Sequence, residues 1–375
     1  MGDTPARFSL KDQLFNAQKI TYLAQLFGAA SADFDAEAFE RDVMQKLLEL
    51  ELKQRIDWIA VVLAAHLPSD FAVAADVIFK ALPPPCDPAL SDDDFGDFIF
   101  APLGEYVAEQ ATQENLVLSL DLIEAITQRF SMEYAIRGLI NQWPRDVLAR
   151  LGQWTTHPHY HVRRLVSEGT RPKLPWGMKL KIDPLEALAL LDSLHVDDTR
   201  FVTRSVSNHL NDIAKIDESA VISRLLDWQA RGHQQPKELD WMTRHALRTL
   251  IKKGHEGALE ILGYRKDAPV SAQISMSGDQ LTIGDMLTFD VVLTSPTKTP
   301  VLVDYVIWFQ KSNGTQSPKV FKLKQTEIKA GQALALSKSY RLKRGSTTLP
   351  LYAGPHRLGI QVNGRVLDTV DFNLV

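Results

Sequence analysis

The sequence predicts a mainly α protein: a HEAT-like α-solenoid of stacked helix pairs over residues 1–267, followed by an all-β immunoglobulin-like sandwich over residues 268–375. Three observations carry this. Up to about residue 265, apolar residues recur three and four positions apart, the spacing of one helical face. Three segments there, HYHVRRLVSEG, TRFVTRSVSNHL and LDWMTRHALRTL, align at a spacing of 40 residues, near the period of HEAT and armadillo arrays. Beyond Asp267 the chain changes to short, alternating runs rich in β-branched residues.

Along the helical part, FDAEAFERDVMQKLLELELKQRIDWIAVVLAAHL reads as amphipathic helix. ALPPPCDPALSDDD breaks the pattern as a loop, because proline denies a helix its donors. SLDLIEAITQRFSMEYAIRGLINQW and DPLEALALLDSLHV are further helices, the latter with Asp183 as N-cap and Pro184 in the first turn. In the repeat, Arg164, Arg204 and Arg244 keep register, as do Val162, Val202 and Met242, and Val166, Val206 and Ala246. FSMEYAIRGLI resembles the second helix of an earlier pair. Such pairs bury their apolar faces only by stacking, which leaves one concave face. Thr155 to Pro158 form a corner, and His159 to Glu168 the second helix of a pair.

The change of style falls near GYRKDAPVS. Seven runs, from AQISMSG to RVLDTVDFNLV, read as strands of a sandwich, with Trp308 on a central one. Asn363-Gly364 between two runs is a hairpin turn signal.

Composition sets bounds on function. At 45% hydrophobic and 23% charged, the 375-residue chain is ordinary for a globular protein that buries several cores. A single cysteine, Cys86, excludes a disulfide framework and a cysteine-based zinc site, and fits a reducing cytoplasm. MGDTPARFSLKDQ has no apolar signal core, and no stretch approaches the ~20 apolar residues that span a bilayer; a cytoplasmic protein with no membrane partner is expected. Residues 1–130 carry a charge of about −13, residues 131–267 about +4 and residues 268–375 about +5. A polyanion would therefore meet the second and third parts.

The segment from His157 to Gly177, HPHYHVRRLVSEGTRPKLPWG, holds most of the chemistry-bearing residues. The periodic arginines either tie neighbouring repeats together or line a phosphate track. Glu168 follows Arg164 by four residues on one helical face, and the next repeats place Asn208 and Arg248 at its position, so it lies outside the scaffold pattern. It is either a solvated surface carboxylate or, with Glu133 from the preceding repeat, one of two carboxylates facing a common cleft, where such a pair stabilises a cation or orients a water. Trp176, between Pro175 and Gly177, is either a packing plug or a face offered to a cation or a base. Lys173, Lys179 and Lys181 flank it. His157, His159 and His161 cross from a corner into a helix, where alternate residues diverge by roughly 200°, so no metal site is expected. There is no phosphate-binding loop, HExxH or GxSxG motif.

HPHYHVRRLVSEGTRPKLPWG, followed by SNHLNDIAK at Ser207–Lys215, resembles the DNA alkylation repair glycosylases of the AlkC branch within the AlkC/AlkD superfamily. The resemblance covers roughly residues 10–265, and some members of that branch carry a C-terminal immunoglobulin-like domain. It implies a monofunctional DNA glycosylase acting on double-stranded DNA that contains cationic alkylated bases, 3-methyladenine and in similar members 3-methylcytosine. Cleavage of the N-glycosidic bond would proceed without ordinary base flipping, with no lyase step, no metal and no cofactor; a monomer is expected, since a clamp that scans DNA for lesions has no need of symmetry.

On that resemblance the catalytic candidates are Glu168 first, then Glu133, then Asp212 in NHLNDIAK. Trp176 would contact the lesion, and Arg164 would grip a phosphate or fix a carboxylate. Arg163, Arg204, His161, Lys173 and Lys179 join as DNA contacts. Relatives in the wider superfamily use an Asp and two Trp residues, and Trp154 and Trp241 are candidates for similar places. The loops at Lys311–Gly314 and Lys343–Gly345 would extend the DNA grip. Composition and periodicity taken alone favour a different class: a non-catalytic HEAT-like scaffold that binds protein or DNA through its concave face.

Overall fold

The computed structural model describes residues 9–90, 94–345 and 349–375. The segment through Phe8 and residues 91–93 of the proline-rich loop lie outside the described residues. The chain divides into two compact units, Met1–Ile213 with His233–Glu238, and Ala214–Gly232 with Leu239–Val375.

The helices of the first unit are α1 (Leu10–Leu14), α2 (Ala17–Ala30), α3 (Ala36–Met44), α4 (Leu52–His66), α5 (Phe71–Ala81), α6 (Ala101–Gln110), α7 (Leu116–Thr127), α8 (Ala135–Gln142), α9 (Pro144–Trp154), α10 (Tyr160–Gly169), α11 (Leu188–Leu194) and α12 (Arg200–Ile213). Then come α13 (Glu218–Arg231), α14 (Pro236–Ala246), α15 (Arg248–Lys252) and α16 (Glu256–Glu260). Within the first unit they pack as neighbouring pairs, α2 on α3, α4 on α6, α6 on α8 and α10 on α12. The long helical stretches of the sequence are broken where the chain turns: a 3-10 turn at Leu47–Glu49 separates α3 from α4, and Gln128–Tyr134 separates α7 from α8. Asp183 caps as expected, accepting from Leu185 N at 2.9 Å, but the first turn is 3-10 (Pro184–Ala187) before α11 begins.

The 40-residue register is visible as burial. Val162, Val202, Met242, Val166, Val206 and Ala246 are all fully buried. These are the positions that must face a neighbour when helix pairs stack. The close approach of α8 and α10 depends on Gly169, where a Cβ would come within 2.6 Å of Ile136 Cγ2.

Among the described residues the sandwich has eight strands: β1 (Ser271–Met276), β2 (Gln280–Leu281), β3 (Met286–Thr294), β4 (Thr299–Gln310), β5 (Gln316–Ile328), β6 (Ala333–Arg341), β7 (Gly354–Val362) and β8 (Arg365–Leu374). One sheet runs β1-β3-β6 and the other β2-β8-β7-β4-β5. Alternate residues meet between them: Leu287, Phe289, Val291 and Leu293 from β3 against Val301, Val303, Tyr305, Ile307 and Phe309 from β4. All seven sequence runs are strands, and β2 is the added one. Asn363 and Gly364 make the two-residue turn between β7 and β8, both at positive φ (49° and 79°) as a type I′ turn requires. Trp308 sits on an interior strand, but on its outer face, where its ring lies over Gly359; the core-facing aromatics of β4 are Tyr305 and Phe309. No single helix among the described residues is long and apolar enough to cross a membrane.

Candidate active site

Glu168 occupies the last turn of α10 and is only 5% exposed. Its position is dictated by helical spacing: Arg164 precedes it by one turn and Arg171 follows by three residues. Arg171 donates to Glu168 Oε1, and the Ser205 hydroxyl on α12 lies 2.6 Å from Glu168 Oε2. Arg164 stands 3.7 Å from the same oxygen. Burial alone would push this carboxyl up, but Arg164, Arg171 and the Ser205 hydroxyl outweigh it and hold Glu168 below the usual carboxylate range. It is an ionised group inside a helical core.

Arg164 also reaches back to the preceding repeat, donating to Glu133 Oε2 at 2.9 Å and to Ser131 Oγ at 3.2 Å. One guanidinium thus joins the two carboxylates that the sequence placed in adjacent repeats. Its plane lies over the Phe201 ring at 4.5 Å, which fixes it further. The two carboxylates are held differently. Glu168 is engaged at both oxygens, whereas no described residue donates to Glu133 Oε1 within hydrogen-bond distance.

Asp212, on α12, accepts from Arg171 Nε and Nη2 at 3.1 and 2.9 Å. It therefore meets Glu168 through Arg171. Arg171, absent from the sequence-derived candidates, is the hub of the cluster, and its one signal is its i+3 spacing from Glu168. Below it, Arg137 is fully buried and donates to the carbonyls of Gly169, Arg171 and Met178 at 2.9, 2.8 and 2.7 Å. Burial and the neighbouring Arg171 charge push Arg137 down to about 10.

Trp176 lies on the loop beyond α10, 62% exposed, and its backbone is left-handed at φ 63°. Only glycine adopts that region freely. The loop around it is pinned by Gly177 N donating to Leu174 O at 3.1 Å and by Arg137 at Met178 O. Trp176 and Tyr134 line one narrow cleft together with Glu105. Burial, then Glu133 and Glu168, push the Tyr134 hydroxyl to about 12, so it stays protonated beside the carboxylates.

The remaining candidates separate. Lys173 and Lys179 are exposed on the Trp176 loop. Arg204 is half-buried on α12. Arg163 is committed to Asp197, at 2.5 Å, and to the His157 and Pro158 carbonyls at 2.8 and 3.0 Å, and so holds the α9–α10 corner. Two expected lesion contacts are corrected. His161 is 1% exposed, with Nε2 2.9 Å from Asp94 O, and Trp154 is 3% exposed, its Nε1 donating to Glu124 at 2.6 Å; both are packed in the interior and present no face to a ligand. Trp241 belongs to the second unit, stacked on His245 with ring centres 4.9 Å apart. His159 reaches Cys86 O at 3.0 Å, so it and His161 point at separate carbonyls. The periodic arginines have different partners: Arg164 binds carboxylates of two repeats, while Arg244 binds Asp240 and Tyr264.

The second unit carries a groove of about 820 Å³, lined by Arg244, Arg248, Lys252, Lys253, Lys319 and Lys322 among others. The loops Lys311–Gly314 and Lys343–Gly345 are exposed tips.

These features define a class: a helical-repeat protein with an ionised carboxylate cluster beside an exposed tryptophan, ending in an immunoglobulin-like sandwich. Comparison with known proteins gives the family. Residues 270–375 match the family described as "Uncharacterised protein YhaZ, C-terminal Ig-like domain". The chain is 30% identical to the YhaZ protein of Bacillus subtilis (strain 168) over 96% of its own length and 98% of that protein's. A solved structure of the alkylpurine DNA glycosylase AlkC from Pseudomonas fluorescens, bound to DNA containing an abasic site analog, superposes with a TM-score of 0.82 at 30% identity. The match covers 98% of this chain and 100% of that one. The chain belongs to the AlkC/YhaZ family.

Proposed function

We propose that this protein is a monofunctional DNA glycosylase of base excision repair, hydrolysing the N-glycosidic bond of cationic alkylated bases, 3-methyladenine foremost and 3-methylcytosine with it, in double-stranded DNA. The single observation that carries the reading is the full-length match to a DNA-bound alkylpurine glycosylase. The chemistry of the cluster supports it. An N3-alkylated base is already a cation and leaves as a neutral molecule, so no strong acid is needed. As the C1′–N bond breaks, its electron pair goes to the base and positive charge grows on the sugar. Fixed carboxylates stabilise that charge.

The site residues divide the work in this reading. Glu168, held at both oxygens and ionised, is the fixed negative charge. Glu133, with Oε1 unclaimed by any described residue, orients the attacking water and takes its proton as oxygen bonds to C1′. Asp212 orients Arg171. Trp176 offers its face to the cationic base or the deoxyribose. Lys173, Lys179 and Arg204 contact the DNA. The basic groove of the second unit takes backbone phosphate. The protein works as a cytoplasmic monomer.

The test is release of methylated base from methylated duplex DNA, identified by chromatography. Wild type should release 3-methyladenine, and Glu133→Gln and Glu168→Gln should each lose on the order of 10²–10⁴-fold in single-turnover rate while staying folded. No release by folded wild type would leave a binding scaffold.

A further inference from the structure

Trp176 is a bulky residue in a backbone conformation that bulky residues avoid, so its surroundings must hold it there. The Arg137 contact lies two residues downstream and the Gly177 contact within the loop itself. One further bond comes from far away in sequence. Lys53, in the first turn of α4, donates from Nζ to the Trp176 carbonyl at 2.8 Å, across 123 residues. The peptide oxygen of Trp176 is the atom whose direction the left-handed backbone sets.

The cleft behind the ring, of about 20 Å³, is lined by Lys53, Asp57, Phe98, Glu105, Tyr134 and Trp176 among others. It is far too small for a base. Asp57 stands one helical turn beyond Lys53, and Glu105 faces both from α6. The Asp57 carboxylate thus offsets the charge of the ammonium beside a surface that would receive a cation, while burial and Asp57 push the Glu105 carboxyl up to about 7.

We infer that Lys53 is a positioning residue for this site: its ammonium holds the Trp176 loop in the left-handed form and so sets where the indole stands relative to Glu133 and Glu168. The kinetic part rests on the glycosylase reading, and the structural part does not.

Full-length wild type, Lys53→Met and Lys53→Arg are prepared with 5-fluorotryptophan, and the Trp176 resonance is assigned with Trp176→Phe. Lys53→Met should shift or broaden that resonance alone among the tryptophans, with the melting temperature held. On methylated duplex DNA it should lower the single-turnover excision rate roughly 10- to 100-fold, while the Kd for DNA stays within about 3-fold. Lys53→Arg, which keeps a charged donor, should restore both. An unchanged Trp176 resonance overturns the inference. So does a shifted resonance with the excision rate intact, or a weakened Kd with the rate intact, which would make Lys53 a phosphate contact. If wild type releases no base, the glycosylase reading fails on its own and the fluorine comparison still decides whether Lys53 holds the loop.

Discussion

At His159 and His161 the imidazole Nε2 atoms end on backbone carbonyls, those of Cys86 and Asp94. A few residues later, at Arg164, Glu168 and Arg171, the charged groups end on one another and on Glu133, Ser205 and Asp212. Both groups sit in one helix and its flanks, and both are crowded with residue types that do chemistry. The first arrangement satisfies a fold: each imidazole closes an unpaired acceptor, and burial lowers His161 to about 4, so it is neutral at physiological pH. The second concentrates formal charge where water is scarce, which packing does not require and the proposed glycosylase chemistry would use. What a buried polar residue bonds to separates the two roles better than what it is.

The contrast can be attacked from its charged side first. Arg171→Met would leave Glu168 and Asp212 without their shared cation. Breaking a buried pair costs about 3–5 kcal/mol, which in a chain of this length lowers the melting temperature by on the order of 10 °C. Thermal unfolding measures it directly, and an unmoved transition would mean that water already screens the cluster.

The histidine side should respond more weakly. His161→Leu removes one hydrogen bond together with Nδ1, a buried nitrogen that no described residue satisfies. A loss of about 1 kcal/mol in denaturant unfolding and an excision rate within about 2-fold of wild type are expected. A large fall in rate with stability preserved would move His161 into the chemistry.

Glu105 gives the most pH-dependent effect. Burial, then the Asp57 charge, push its carboxyl up to about 7, so the native state holds a proton that the unfolded chain gives up near 4.5. Its contribution to stability is therefore complete below about pH 4.5 and is lost as pH rises through about 7. Glu105→Gln, neutral throughout, should exceed wild type by about 1–2 kcal/mol near pH 8.5, allowing for partial solvent screening, and by little at pH 5. Melting curves that stay parallel across that range would show Glu105 ionised in the folded protein.

Much of the architecture was legible in the chain because it depends on local periodicity. The 40-residue register located six fully buried positions, and alternation located seven strands. Asn363-Gly364 announced its turn because few other pairs accept two positive φ values. Glu168 stood out by breaking the repeat. Arg171, Ser205, Lys53 and Glu105 were not legible as site residues, since each acquires its role from a partner on another helix: Lys53 from a carbonyl 123 positions away, Ser205 from a carboxylate 37 positions away. Trp154 and His161 misled for the converse reason. Aromatic and imidazole groups look alike in sequence whether a cleft or a core receives them, and only the carboxylate and carbonyl that meet them, Glu124 and Asp94 O, decide.

The left-handed backbone at Trp176 has a consequence for anyone who engineers this scaffold. Glycine and asparagine tolerate that conformation, so a screen that rewards heat resistance alone would favour both at position 176. Each enriched clone would melt later and lack the indole. Selection for durability and selection for the proposed activity would pull that codon in opposite directions, and a library built for one should hold it constant.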